Sequence, residues 1–144
     1  MSKTADFDLV DFLPYLLNLA AETTSLGFQA HYKSRFGMLR TEWRVLFHLG
    51  RYGDMTAKEI CTRARLHKTK VSRAVAALER RRFLTRREMP DDRRHEMLSL
   101  TNLGKTAFRD LVTEARRYQE NLIARFDPEE AEILKRCLSR IAEV

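Results

Sequence analysis

The chain has 144 residues, 44% of them hydrophobic, with 27 Lys and Arg against 20 Asp and Glu and a formal net charge of +7. That length fits one ordinary domain, and the charge points to a polyanionic partner. No apolar run is long enough to cross a bilayer and no basic-then-apolar leader opens the sequence, so no membrane partner and a cytoplasmic location are expected.

Residues before about Asp8 read as a ragged end. A long helix is predicted over about 11–36. Phe12, Leu13, Leu16, Leu17, Leu19 and Ala20 are too many apolar residues for a helix with one wet side. This surplus implies burial against a second subunit, against the chain's own C-terminal helices, or both. Pro14 must sit in the first turn or kink the helix, and Gly27 is either a weak point or a point of close packing. Residues 37–40 read as a connector. Thr41 is the expected N-cap of a helix over 42–52, and residues 53–55 lead on through a very short strand or turn.

Thr56-Ala57-Lys58-Glu59 has the form of a capping box, in which the Thr hydroxyl accepts the Glu59 N–H and the Glu carboxylate accepts the Thr56 N–H. Ala57, Ile60, Cys61 and Ala64 follow at helical spacing, and Leu66 marks a turn. A second short helix is predicted from 67 or 68 to about 82. Val71, Val75 and Leu78 share one face of it. Thr69, Arg73, Ala76 and Arg80 lie opposite, with Ser72 beside them. Short polar groups, a small Ala and Arg suit a helix lying against base edges, because Arg can donate two hydrogen bonds to guanine.

Residues 84–89 and 96–101 read as a two-stranded hairpin, with Leu98 and Leu100 on one face. The turn between them is Pro90-Asp91-Asp92-Arg93-Arg94-His95. Arg at a hairpin tip can enter the narrow minor groove, where the negative potential is deepest, and Asp92 could pair with Arg94 to hold the tip in shape. Two short helices followed by such a hairpin make a winged helix-turn-helix, a shape that docks on duplex DNA.

A helix over 102–126 comes next, with Gly104 as a flaw in its first turn. Asp127-Pro128-Glu129-Glu130 then starts a last helix carrying Ile133, Leu134, Leu138 and Ile141. Lys135, Arg136 and Arg140 suit the C-terminal end of its dipole. Cys61 and Cys137 have no metal-ligand spacing and read as small core residues. The expected fold is mainly α, in the α+β sense. It is one domain over 1–144, in which a winged helix-turn-helix lobe (41–101) lies between N- and C-terminal helices (8–36 and 102–144) that form a dimerisation lobe.

The charge is localised. Between Asp54 and Thr101, thirteen basic residues face seven acidic ones, so +6 of the +7 sits in one third of the chain, as phosphate binding requires. No Gly-rich phosphate loop, nucleophile motif or metal-ligand spacing is present, so no catalytic residue, metal or cofactor is assigned and the chain is not expected to be an enzyme.

The segment Asp92-Arg93-Arg94-His95-Glu96-Met97-Leu98-Ser99-Leu100-Thr101 resembles the wing signature of the MarR family of bacterial regulators. Leu66, Val71, Ser72, Arg73, Val75, Leu78 and Glu79 resemble that family's recognition helix, and Glu42-Trp43-Arg44-Val45-Leu46 its preceding helix. The resemblance implies a homodimeric winged-helix repressor, less often an activator, on pseudopalindromic double-stranded DNA. It also implies a small effector, commonly an aromatic acid or a related metabolite, held between the dimer helices and the DNA-binding lobe; an aromatic acid or its thioester is the effector expected here. Phe28, His31, Tyr32, Phe36, Arg40, Trp43 and Arg44 cluster in sequence at that joint, where His31, Arg35, Arg40 or Arg44 could meet a carboxylate. Some members sense peroxides through a Cys in the first helix; this chain has none there.

The DNA contacts assigned from sequence are Thr69, Ser72 and Arg73 to bases, Lys68, Lys70 and Arg80 to phosphates, and Arg93 and Arg94 at the wing, with Asp92 in support. The competing expectation is a ligand-independent architectural protein that binds DNA by charge and shape.

Overall fold

The computed structural model describes residues 6–91 and 95–144. A short 3-10 turn, Leu9–Asp11, precedes α1 (Leu13–Phe36), with Pro14 in the first turn of the helix. Gly37 ends α1 in the left-handed region at φ 64° and donates its N–H to the Lys33 carbonyl. Then come α2 (Arg40–Tyr52), β1 (Met55–Thr56), α3 (Ala57–Ala64), α4 (Lys68–Arg80), β2 (Leu84–Glu88), β3 (Glu96–Leu100), α5 (Asn102–Ile123) and α6 (Pro128–Ala142). The three strands form one antiparallel sheet in the order β1-β3-β2, with Met55 opposite Leu98 and Leu84 opposite Leu100. This is the winged-helix arrangement expected from the sequence.

Local chemistry explains most of the boundaries. The Glu59 N–H donates to the Thr56 hydroxyl at 3.2 Å, and the Thr56 N–H donates to the Glu59 carboxylate at 3.3 Å, so the α3 capping box is formed. The start of α6 repeats the device, with the Asp127 N–H donating to Glu130 at 3.0 Å. Thr41 is not the cap of α2. The helix begins at Arg40 behind Leu39, because the buried Glu42 carboxylate reaches back to accept the Leu39 N–H. α4 ends at Arg80, short of the predicted 82, since Arg82 turns to φ 63°. α5 ends at Ile123, short of the predicted 126.

The core lies between α2, α3, α4 and the sheet. Val45, Leu46, Ile60, Val71 and Leu78 have no exposed surface, and Leu84 and Leu98 close it from the hairpin. Full burial of such side chains stabilises the fold by roughly 1.5–3 kcal/mol each. α5 seats on this body through Ala107 and Leu111. Gly104 is a packing requirement rather than a flaw, because a Cβ there would collide with the Phe83 carbonyl.

The two ends of the chain are different. Phe12, Leu13, Leu16 and Leu19 are at least one-third exposed, as are Ile133, Leu134, Leu138 and Ile141. Cys137 lies on the same stripe of α6 and is exposed, which corrects its reading as a core residue of the protomer; Cys61 is half-buried against the core. Among the described residues, no helix is long and apolar enough to cross a membrane.

Candidate nucleic-acid interface

α4 is amphipathic in the sense that the sequence predicted. Val71, Ala74, Val75 and Leu78 are buried under it, while Lys68, Thr69, Lys70, Ser72, Arg73 and Arg80 are exposed and Ala76 is half-buried between them. His67 caps the helix, its Nδ1 accepting the Thr69 N–H at 3.2 Å. Among the described residues, Lys68, Lys70, Arg73 and Arg80 have no ion pair. The nearby acids are engaged elsewhere: Glu79 accepts from Arg86 Nε at 3.2 Å, and Glu42, which lines the same groove, accepts the Leu39 N–H. The cations of this face are therefore available to an outside anion.

A groove of about 410 Å³ runs along the same face, between α4 and the start of α2. Lys70, Arg73 and Arg80 line one wall and Leu39 and Thr41 the other. On the wing, Arg86 and Arg87 are exposed along β2. The wing-tip assignments Asp92, Arg93 and Arg94 lie outside the described residues.

Two arginines flanking α4 were not singled out from the sequence. Arg65, in the turn before it, donates Nη1 to the Ala142 carbonyl at 2.7 Å and Nη2 to the Glu143 carbonyl at 3.4 Å. Arg81, the residue after it, donates Nη1 to the Phe36 carbonyl and Nη2 to the Gly37 carbonyl, the latter at 2.8 Å.

The joint between α1 and α2 brings together part of the second group of assigned residues. Phe28, Tyr32 and Trp43 pack as one aromatic cluster, with ring centroids 5.1 Å apart for Phe28–Trp43 and 6.0 Å for the stacked Tyr32–Trp43 pair. His31 lies against Phe28 at 5.7 Å. Phe36 faces away, edge-on to Phe83. Burial raises the Tyr32 phenol above its ordinary value, with the Arg40 charge acting the other way.

The basic side chains around this cluster differ in their surroundings. His31 Nδ1 faces Glu114 at 3.6 Å, and Arg35 faces Asp110 at 3.7 Å and Glu114 at 3.9 Å, so both already meet carboxylates of α5. Arg44 is half-buried and donates to the Ala64 carbonyl at 3.4 Å. Burial, and then the charge of Arg40, makes its guanidinium less ready to hold a proton than usual. Arg40 is exposed. Among the described residues, no cluster of three or more His, Cys, Asp or Glu could hold a metal ion.

Residues 36–95 match the model of the MarR family. The chain is similar to YwoH of Bacillus subtilis (strain 168), described as an uncharacterized HTH-type transcriptional regulator; the two are 29% identical over 97 residues, which is 67% of this chain and 70% of that one. Among solved structures, it is similar to a probable transcriptional regulator from Pseudomonas aeruginosa, with a TM-score of 0.82 and 24% identity over 93% of this chain and 99% of the other. It is also similar to BpsR of Bordetella bronchiseptica, whose DNA binding is regulated by 6-hydroxynicotinic acid, with a TM-score of 0.86 and 18% identity over 96% and 98% of the two chains. At these identities the solved structures establish the fold.

Proposed function

We propose, from the match of residues 36–95 to the MarR family model, that the chain is a cytoplasmic homodimeric repressor of a pseudopalindromic operator, released by a small aromatic acid or its thioester. The observation that carries this reading is the outer face of α4. Thr69, Ser72 and Arg73 are exposed on a helix whose other face is locked into the core. They contact bases, while Lys68, Lys70 and Arg80 contact phosphates; Arg94 enters the minor groove with Asp92 in support, and Arg93 is a further DNA contact at the wing.

The dimer is formed by the chain's two ends, 8–36 and 102–144, around the winged-helix lobe 41–101. The uncovered apolar stripes of α1 and α6 support this, since a lone protomer leaves them in water. A dyad sets the two recognition helices about 34 Å apart. The effector binds at the α1–α2 joint, with its ring among Phe28, His31, Tyr32 and Trp43 and its carboxylate toward Arg40 and Arg44; Phe36, turned toward Phe83, is left out of the site. Those two cations face no carboxylate among the described residues, whereas His31 and Arg35 do. The aromatic acid that regulates BpsR supports the effector class.

The test is a fluorescence-polarisation titration of DNA from upstream of the chain's own gene, with competitor DNA, in the presence and absence of aromatic acids and their thioesters. The expected result is binding that survives competitor and is released by one compound, with a change in Trp43 emission. Binding abolished equally by any competitor would move the assignment to an architectural protein. Release without any change at Trp43 would move the effector away from the joint.

A further inference from the structure

We propose that Arg65 and Arg81 are positioning residues for DNA recognition, which fix the separation of the two recognition helices by tying the end of α3, just before α4, and the end of α4 to the C-terminal carbonyls of α6 and α1. The proposal rests on the dimer reading above.

The geometry is the same on either side of α4, at the end of α3 and at the end of α4 itself. Each arginine spreads its two terminal nitrogens over the carbonyls of consecutive residues, Phe36 and Gly37 at the end of α1, Ala142 and Glu143 at the end of α6. The last carbonyls of a helix have no partner within it and carry its negative partial charge. A planar guanidinium spans two of them with a rigid fork of separate nitrogens, whereas an ammonium offers rotatable donors from a single point. The bonds join residues 45 and 77 positions apart, so they connect separate parts of the fold rather than finishing a local turn. Arg65 is itself held at φ 53° at the end of α3, directly before the turn that aims α4.

The helices so tied carry the uncovered apolar stripes. In a dimer those stripes meet across the dyad, and the position of α4 relative to them sets the distance between half-sites. No residue of α6 and none of the stripe on α1 belongs to the core cluster around α4, so the two clamps act where core packing does not. They are also not free phosphate contacts, because each fork is already occupied by two carbonyls.

The experiment uses the full chain and duplexes selected by the wild-type protein from a randomised pool. The selected site is rebuilt with one base pair added or removed at its centre, and as a single half-site. Arg65→Lys, Arg81→Lys and the double variant keep the charge and lose the fork. Sedimentation and circular dichroism establish the oligomer and the fold of each, and the single variants carry the comparison where the double variant does not fold. One base pair shifts a half-site by about 3.4 Å and about a tenth of a turn, so we expect wild type to lose about 30-fold or more on changed spacing and the double variant about threefold or less. Half-site affinity should stay within about twofold, since charge and reading face are retained.

A folded, dimeric variant with the wild-type spacing penalty would overturn the clamp and leave the dimer reading intact. An equal loss on every duplex, half-site included, would also overturn it, by making these residues simple phosphate contacts. A wild-type chain that sediments as a monomer would overturn the dimer reading, and the clamp with it.

Discussion

The carbonyl of Phe83 lies so close to Gly104 that the first turn of α5 has room for no side chain there: the carbonyl carbon would stand 2.9 Å from a Cβ, and its oxygen closer still. The same junction is fixed by Thr101, whose N–H donates to the Phe83 carbonyl at 3.0 Å and whose hydroxyl donates to the Arg82 carbonyl at 2.6 Å. The obstacle is backbone and cannot swing aside. Gly104→Ala should therefore destabilise the protein by about 1–3 kcal/mol, as overpacking does, despite the better helix propensity of Ala. Thermal unfolding checks this; an unchanged or higher midpoint would show that the α5 junction is loose.

The proposed roles of Arg73 and Lys70 predict two different losses. Arg73→Ala should relax the preference among operator variants and cost roughly 1–3 kcal/mol on the best site, as loss of a bidentate base contact does. Lys70→Ala should weaken all sequences about equally and reduce the slope of log affinity against log salt by about one. Competition binding over a salt series reads both. If relative affinities survive Arg73→Ala, the reading face lies elsewhere.

The stripe on α6 gives a third prediction. Leu138 is 40% exposed in the protomer, so an acidic residue there costs the lone chain little. Leu138→Asp should leave circular dichroism unchanged and raise the dimer dissociation constant by about 100-fold or more, because a carboxylate would be forced into an apolar interface. Sedimentation at several concentrations measures this. A Leu138→Asp dimer as tight as wild type would place the interface on another surface.

Tyr32 gives a prediction about pH. Burial raises its phenol above the ordinary 10.0, against the pull of Arg40. The folded protein then holds this proton more tightly than the unfolded chain does. The associated stability is complete below the unfolded value and is lost as pH rises through the folded one. Denaturant titrations should show stability falling above about pH 10 more steeply in wild type than in Tyr32→Phe. Parallel curves would mean that the phenol reaches water in the folded state.

Much of this architecture was legible in the sequence, because it is written in local chemistry. The Thr56–Glu59 and Asp127–Glu130 boxes, the 3.6-residue pattern of Val71, Val75 and Leu78, and the two-residue alternation of the hairpin each sit within a few positions. The start of α2 was misread for the same reason. A Thr ahead of an amphipathic run suggests a hydroxyl cap, but Glu42 satisfies the Leu39 N–H from inside the helix. Cys137 was taken for core because the periodicity of α6 shows that a face is apolar without showing what covers it. Arg65 and Arg81 were invisible for another reason. Nothing in a run of basic residues distinguishes the one whose partner lies 45 or 77 positions away.

The pairing of Met55 with Leu98 has a consequence for how the reading head forms. β1 precedes α3 and α4, and β3 follows them, so this short ladder closes a ring of chain around both helices. The entropy of closing that ring is lost once, for the whole unit, and grows only slowly with its length. Neither helix can then be drawn out of place while the ring is shut, and neither is long enough to persist by itself in water. An excised peptide of α3 and α4 should be a coil. A chain nicked in the turn at Leu66 leaves β1 on one fragment and β2 and β3 on the other, so it should keep both helices seated only while the pairing of Met55 with Leu98 holds the two fragments together.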